Sequence, residues 1–382
     1  MDFEDKIMKL MNKIAIYLVC CMLFSCSNHE NHDEFIEMYN TGKYEKTIEN
    51  LNPLISTDST NITFLNYRAL SYFNLSKYEQ AYNDFQKLSS LSDTAKGYLF
   101  LMATINEKLK RYKEAESNYS KIIDLDDSNF VAYYNRGSVK NTMGRREEAI
   151  ADYSKSISLN PNYSKAYINR IILSCKIKDF NSALDDCNKL LQMNLPKEEV
   201  YSLIGFVKKE MGDNAGALDF YSNAIGLNPL YAEAYNGRSI VKLQMGDSNG
   251  AYFDNLKALE LNPNSADALC NSGRISLVHE YYNQAIVDFT EALALDPTID
   301  AAYNGRGVAK FFLKDFRGAI EDYTSAISLN PNYSEAFYLR GMAKYEIQDE
   351  KGSCSDLNTA ISLGYKKAND FLVKFGCKGT SI

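Results

Sequence analysis

Small and apolar residues return at fixed places along this chain, in a unit of 34 residues. Pro229, Pro263, Pro297 and Pro331 stand 34 apart, Pro161 lies two such intervals before Pro229, and Leu195-Pro196 falls near the intervening position. Frames laid in both directions from these prolines begin at Asn28, Ile62, Lys96, Phe130, Ser164, Glu198, Ala232, Ala266, Asp300 and Ser334, with no residue inserted or lost. The eighth position carries Gly137, Gly205, Gly273, Gly307 and Gly341, with Ala69, Ala103 and Ser239 elsewhere. The twentieth carries Ala81, Ala115, Ala149, Ala183, Ala217, Ala251, Ala285 and Ala319, and the twenty-seventh Ala224, Ala258, Ala292, Ala326 and Ala360. Small side chains there let two antiparallel helices approach closely. Phe85, Tyr119, Tyr153, Tyr221, Phe289 and Tyr323, at the twenty-fourth position, fill the apolar space between units. The proline near the end of a frame stops the second helix and turns the chain into the next. The pattern predicts an all-α chain with ten tandem helical hairpins over residues 28–365. The first frame departs most, because Thr47 and Leu54 replace its small residues.

A stack of hairpins leaves an apolar face at its end, which a helix with a polar back can cover. After the tenth frame, Tyr365, Ala368, Phe371, Leu372 and Phe375 recur at roughly helical spacing. Residues 366–377 are therefore expected to form a capping helix, ended at Gly376, with 378–382 as a tail.

A 34-residue period is the length of the tetratricopeptide repeat (TPR). The strings YYNRG (133–137), AIADYSKSISLNPNY (149–163) and AIEDYTSAISLNPNYSEAFYLRG (319–341) resemble bacterial TPR sequences, and ten frames share their register. A Sel1-type array has a longer, looser period and does not fit. The resemblance implies a right-handed α-solenoid that binds protein partners on a concave face. In that family the first helix of each repeat lines the groove, chiefly through positions two, five, nine, twelve and thirteen. Carried onto this chain, those positions hold Tyr39, Phe73, Phe100, Tyr134, Phe206, Phe311, Phe312, Tyr338 and Tyr345, with Arg274 and Lys209 among them. Aromatic anchors of this kind suit an extended peptide or a partner helix; the alternative for each is packing between repeats. The lysine-and-asparagine clamp for a C-terminal carboxylate is absent, since position five holds Tyr134, Ile168, Ser202 and Asn236. Capture of a chaperone tail is disfavoured.

Arg68, Arg136, Arg170, Arg238, Arg306 and Arg340 recur at position seven, and Asp84, Asp152, Asp186, Asp254, Asp288, Asp322 and Asp356 at position twenty-three. We read them as ion pairs joining the two helices of a hairpin rather than as a charged track for a ligand. As surface pairs they would contribute ~0–1 kcal/mol each.

The N-terminal segment has a different character. Lys13 precedes the apolar run Ile14–Phe24, too short to span a bilayer but suited to the core of a secretory signal. Leu23-Phe24-Ser25-Cys26 resembles a bacterial lipobox, although Phe24 is bulkier than usual there. The resemblance implies cleavage of residues 1–25 as a lipoprotein signal and attachment of a diacylglycerol to Cys26. It places the chain in the bacterial cell envelope, with the outer membrane expected. Asp2–Leu10 is acidic ahead of the basic residue, so Met11-Asn12-Lys13 reads as a more natural start. Residues 26–34, with the string SNHENHDE, read as an acidic linker that resembles the export tags of Bacteroidetes lipoproteins.

Cysteines and charge complete the reading. Two antiparallel helices joined at Gly364 would bring Cys354 and Cys377 side by side, and in an exported protein a disulfide is then expected. The string GSCSDLNTAISLGYKKA resembles the close of Bacteroidetes TPR proteins in which a cysteine pair recurs. Closing such a loop stabilises by ~3 kcal/mol in the chain-entropy model. Cys175 and Cys187 are not opposite each other in their hairpin, and Cys270 lies on a first-helix face, so spacing predicts no bond for them. The formal net charge of −7 repels phosphate backbones, which argues against nucleic acid. His29 and His32, beside Glu30, Asp33 and Glu34, make a loose metal cluster, which a linker without rigid support around the ligands disfavours. His279 stands alone, and no phosphate-binding loop, GxSxG or HExxH pattern occurs. No metal, cofactor or catalytic residue is assigned. The expectation is a non-enzymatic, lipid-anchored scaffold for protein partners. A glycan- or nutrient-binding lipoprotein is disfavoured by the uninterrupted period and the absence of tryptophan; a regulatory repeat protein without a lipid anchor is the other alternative.

Overall fold

The computed structural model describes residues 29–91 and 95–375; the signal 1–25, Cys26, Cys377 and the tail 378–382 lie outside them. Among the described residues there are 21 helices and no strand. Ten hairpins follow one another: α1 (His29–Asn40) with α2 (Tyr44–Thr57), α3 (Ile62–Asn74) with α4 (Tyr78–Leu91), α5 (Ala95–Lys108) with α6 (Tyr112–Leu125), and α7 (Phe130–Thr142) with α8 (Arg146–Leu159). Next come α9 (Ser164–Lys176) with α10 (Phe180–Leu191), α11 (Lys197–Glu210) with α12 (Asn214–Leu227), and α13 (Ala232–Gln244) with α14 (Ser248–Leu261). The last three are α15 (Ala266–Val278) with α16 (Tyr282–Leu295), α17 (Asp300–Phe312) with α18 (Phe316–Leu329), and α19 (Ser334–Glu346) with α20 (Glu350–Ser362). A final helix, α21, runs Lys367–Phe375.

Seven of the expected frame starts are the first residues of helices, and the other three differ by one residue. One expectation is corrected: α1 begins at His29, so much of the segment read as an acidic linker, 26–34, is helical. The linker reading rested on polarity alone, and a polar first turn is compatible with a helix whose apolar residues, Phe35 and Tyr39, come later and are buried.

The chain divides inside α10 into two compact units, one ending at Asp186 and the other beginning at Cys187. Each unit is organised in the same way. The two helices of a hairpin pack antiparallel, and the second helix packs on the first helix of the next hairpin. In the first unit the largest core joins Phe35, Leu51, Leu65, Phe85, Leu88, Tyr98 and Ile105. In the second unit, Tyr221 and Phe289 anchor successive cores.

The glycine positions explain how close this packing is. A Cβ at Gly273 would lie 2.8 Å from the ring of Phe289, and one at Gly137 would lie 2.9 Å from the ring of Tyr153. Gly305, on the following hairpin, meets Phe289 from the other side more tightly still, and Gly237 does the same to Tyr221. Each ring is thus clamped between backbone of its own hairpin and backbone of the next. Local chemistry sets the ends of the elements. Asp213, Asp247, Asp315 and Asp349 each accept a hydrogen bond from a backbone N–H three residues on, capping α12, α14, α18 and α20. Within the hairpins the chain reverses through one left-handed residue: Gly144, Gly212 and Gly246 in some, Glu280 and Lys314 in others.

Candidate functional site

The recurring arginines and aspartates form bidentate pairs inside six of the ten hairpins. In all six, Nε and one Nη of the arginine donate to the two carboxylate oxygens of the aspartate sixteen residues on, at 2.6–3.0 Å. The remaining Nη donates sixteen residues back, to Asn52, Ser120, Ser154, Ser222, Thr290 or Thr324 on the second helix of the preceding hairpin. Each arginine therefore straps one hairpin to the one before it. The sequence reading missed this second partner. Its signal is the short polar residue at position twenty-five wherever the next hairpin carries the arginine. Lysines at position eleven complete four of the sites: Lys140, Lys242, Lys310 and Lys344 approach Asp152, Asp254, Asp322 and Asp356 at 2.7–2.8 Å. The aspartates are buried, so these are not the surface pairs expected from sequence. Removing one partner strands charge between packed helices, which costs several-fold more than breaking an exposed pair. This machinery is structural.

In the second unit, the first helices of consecutive hairpins leave a cleft of about 550 Å³. Phe206 and Lys209 reach it from α11, Glu233 and Asn236 from α13, Asp267, Cys270, Asn271 and Arg274 from α15, and Ile299 and Ala301 from the start of the next hairpin. Lys209 lies 5.0 Å over the ring of Phe206 and pairs with Glu210 at 2.9 Å. Arg274 is exposed and makes no ion pair among the described residues. Asn271 is buried, and its Nδ2 faces Ser239 Oγ at 2.9 Å, Asn255 Oδ1 at 3.2 Å and Asn236 Oδ1 at 3.4 Å. Its Oδ1 has no hydrogen-bond partner. The cleft therefore offers an aromatic surface and an exposed cation, which together suit an extended peptide. Burial pushes the Cys270 thiol up to about 11, so it is protonated near neutral pH and is no nucleophile.

The residues carried over from the family pattern separate into distinct groups. Phe206, Lys209 and Arg274 come together in the cleft. Phe312 is 57% exposed and stacks on Tyr282 at 5.0 Å. The others make ring contacts within the repeats; of them, Tyr39 and Phe73 are buried and the rest are half-buried. Tyr39 and Phe73 (9% exposed) belong to the core of the first unit. Phe100 stands edge-on to Tyr119, and Tyr134 lies between Tyr153 and Tyr163 of its own and the next hairpin. Phe311 packs on Phe316. Tyr338 and Tyr345 each meet the ring of Phe371 of α21 edge-on and stay half-buried. The physical reason is common to all: the first-helix face is wide, and neighbouring rings take up part of it. Conversely, Asn236 and Asn271 escaped the sequence reading as cleft-lining residues, because a polar residue at one isolated position carries no periodic signal.

Cys354 is disulfide-bonded, while Cys377, its expected partner, lies outside the described residues. Cys175 and Cys187 are buried. His279 stacks on Tyr281 at 5.8 Å. Among the described residues, no group of three or more His, Cys, Asp or Glu side chains could hold a metal ion, and no helix is long and apolar enough to cross a membrane.

Two family models match parts of the chain. The tetratricopeptide repeat model matches residues 130–163 and 301–333, and the model for anaphase-promoting complex, cyclosome, subunit 3 matches residues 38–122. No curated protein matches at a significant level. Among solved structures, a tetratricopeptide repeat protein from Parabacteroides merdae is similar with a TM-score of 0.57 at 18% identity, covering 69% of this chain and 99% of that one. The Cut9–Hcn1 hetero-tetramer of the APC/C is similar at 0.52 and 12% identity, covering 88% of each chain. A monomeric mutant of IFIT1 with Gppp-AAAA is similar at 0.56 and 13% identity, covering 87% of this chain and 86% of that one. At these identities the likeness is one of fold.

Proposed function

From the premise that this chain is a tetratricopeptide repeat protein, and so a scaffold for protein interaction, we propose that it is a non-enzymatic adaptor that takes a partner's extended segment in the cleft of its second unit. The observation that carries this reading is the cleft lining itself, which brings Phe206 and the exposed Arg274 together from the first helices of consecutive hairpins. An apolar side chain covers Phe206, and Arg274 favours an acidic residue nearby.

The test is photo-crosslinking from a benzoylphenylalanine placed at Ala301 at the cleft edge, in intact cells. Discrete partner bands are expected, and both Phe206→Ala and Arg274→Ala should weaken them at least tenfold with the helical circular dichroism unchanged. Bands equally strong in both variants, or no band above background, would refute the cleft reading.

The adaptor is further proposed to be tethered to the cell envelope through a diacylglycerol on Cys26, at the outer membrane, and closed at its other end by a Cys354–Cys377 disulfide. The lipobox resemblance supports the first, and the disulfide-bonded state of Cys354 supports the second. A Cys26→Ala protein that still fractionates with membranes would remove the anchor. Two thiols at Cys354 and Cys377 that alkylate without reductant would remove the bond.

A further inference from the structure

The arginine strap is interrupted at the junction between the seventh hairpin (α13–α14) and the eighth (α15–α16). Position seven of the eighth hairpin is Ser272 instead of arginine, and position eleven is Ser276 where four other hairpins carry a pairing lysine. The aspartate is nevertheless kept. Asp288 is 6% exposed and accepts hydrogen bonds from Ser272 Oγ at 2.9 Å, Ser276 Oγ at 3.1 Å and Gln284 Nε2 at 2.8 Å, all neutral donors. Among the described residues no cation pairs with it. Sixteen residues before Ser272, where each strapped junction has Asn, Ser or Thr to receive the arginine, stands Leu256. Arginine and its receiving residue have been lost together, while the carboxylate remains.

The surface beside this junction has changed as well. Phe253 is 66% exposed, and Tyr252, Leu256 and Val287 are also exposed. The Tyr252 and Phe253 rings meet at 5.6 Å. The position of Phe253 is held by Asp219 in the sixth hairpin and Glu321 in the ninth, while the eighth carries Val287 there, so the apolar residues are confined to the two hairpins of this junction. An exposed aromatic and aliphatic cluster beside a buried carboxylate held only by neutral donors is an unusual surface for a protein with no partner there.

We propose that this junction docks an arginine of a partner protein, whose guanidinium takes on Asp288 the place that Arg238 takes on Asp254 and Arg306 on Asp322. The protein's own straps show what this position accepts: a planar guanidinium, bidentate to the aspartate at 2.7–3.0 Å, on the side where Leu256 now stands. Ser272 is too small to fill the space an arginine side chain occupies at the strapped junctions. Gln284 is exposed and holds only one carboxylate oxygen, so it can rotate aside. The apolar cluster receives hydrophobic residues flanking the arginine, and the net charge of −7 favours the approach of a basic segment. Lysine, a point charge without the fork, is the poorer occupant.

This inference shares the adaptor premise but uses a surface other than the cleft. The test probes the fluorescently labelled full chain against nonapeptides with a central arginine flanked by Leu, Ile, Phe or Tyr, each beside its citrulline counterpart of nearly the same shape without charge. Arginine peptides are expected to bind at least tenfold more strongly than their citrulline partners. Asp288→Asn should abolish that difference. The double variant Ser272→Arg with Leu256→Ser, which restores the protein's own strap and so should fold, should lose the binding with its circular dichroism unchanged. Equal arginine and citrulline signals, no binding to any arginine peptide, or binding that survives in the restored-strap variant would each overturn the proposal. Phe206→Ala separates the two surfaces: it should leave the peptide pattern untouched, and its loss there would assign the binding to the cleft and overturn this proposal.

Discussion

The buried straps can be tested by comparing Asp152→Asn with Asp288→Asn. At Asp152, Oδ1 receives Arg136 Nη2 at 2.7 Å, and Oδ2 receives Arg136 Nε at 2.9 Å and Lys140 Nζ at 2.8 Å. The aspartate side chain is 7% exposed and that of Lys140 is 10%. Asparagine keeps the shape but turns an NH₂ donor toward two cations that packing holds in place. Breaking a buried pair typically costs 3–5 kcal/mol; partial solvation of Arg136 points to the lower end, about 3 kcal/mol. Asp288 faces only neutral donors, so the same change there should cost about 1 kcal/mol. The difference of about 2 kcal/mol corresponds to a ratio of roughly 30 in local opening constants. Because stability in a repeat array is carried by each repeat and its neighbours, a single melting temperature would blur this effect. Hydrogen exchange read by mass spectrometry on peptides from α7–α8 and α15–α16 resolves it. Exchange in α7–α8 should accelerate at least tenfold more in Asp152→Asn than exchange in α15–α16 does in Asp288→Asn. A Asp152→Asn protein that exchanges like wild type, or a costlier Asp288→Asn, would refute the reasoning.

Two further outcomes follow from the same geometry. Gly305→Ala drives a methyl group into Phe289, which is fully buried and already clamped by Gly273, and should destabilise the eighth and ninth hairpins by about 2 kcal/mol in urea titrations followed by local exchange; an unchanged profile would show that the ring can shift. Cys270 has its thiol raised to about 11, so native protein at pH 8 should alkylate there roughly a hundredfold more slowly than the unfolded chain. The sign is that of an acid held protonated by burial: its stabilising contribution is present below its ordinary value of 9 and fades as pH rises through 11. Equal alkylation rates in the folded and unfolded chain would contradict it.

Much of the architecture was legible in the chain because it is built from local, repeated constraints. A helix pair closes within one 34-residue unit, so Gly137, Ala149 and Tyr153 declare their packing by position alone, and the structure places them in contact. The pairing of Arg136 with Asp152 was readable for the same reason, since both lie within one hairpin. What joins one unit to its neighbours was not. The hydroxyl of Ser120 receives Arg136 only because the preceding hairpin stacks at the right height, and Tyr338 and Tyr345 meet Phe371 only because α21 folds back toward them. Sequence determined that a first-helix face exists and which residue types it carries. Tertiary structure decided which of those residues are spent on packing and which stay open, as Phe206 and Arg274 do, because exposure depends on the neighbouring hairpin or terminal helix and not on the residue's own period.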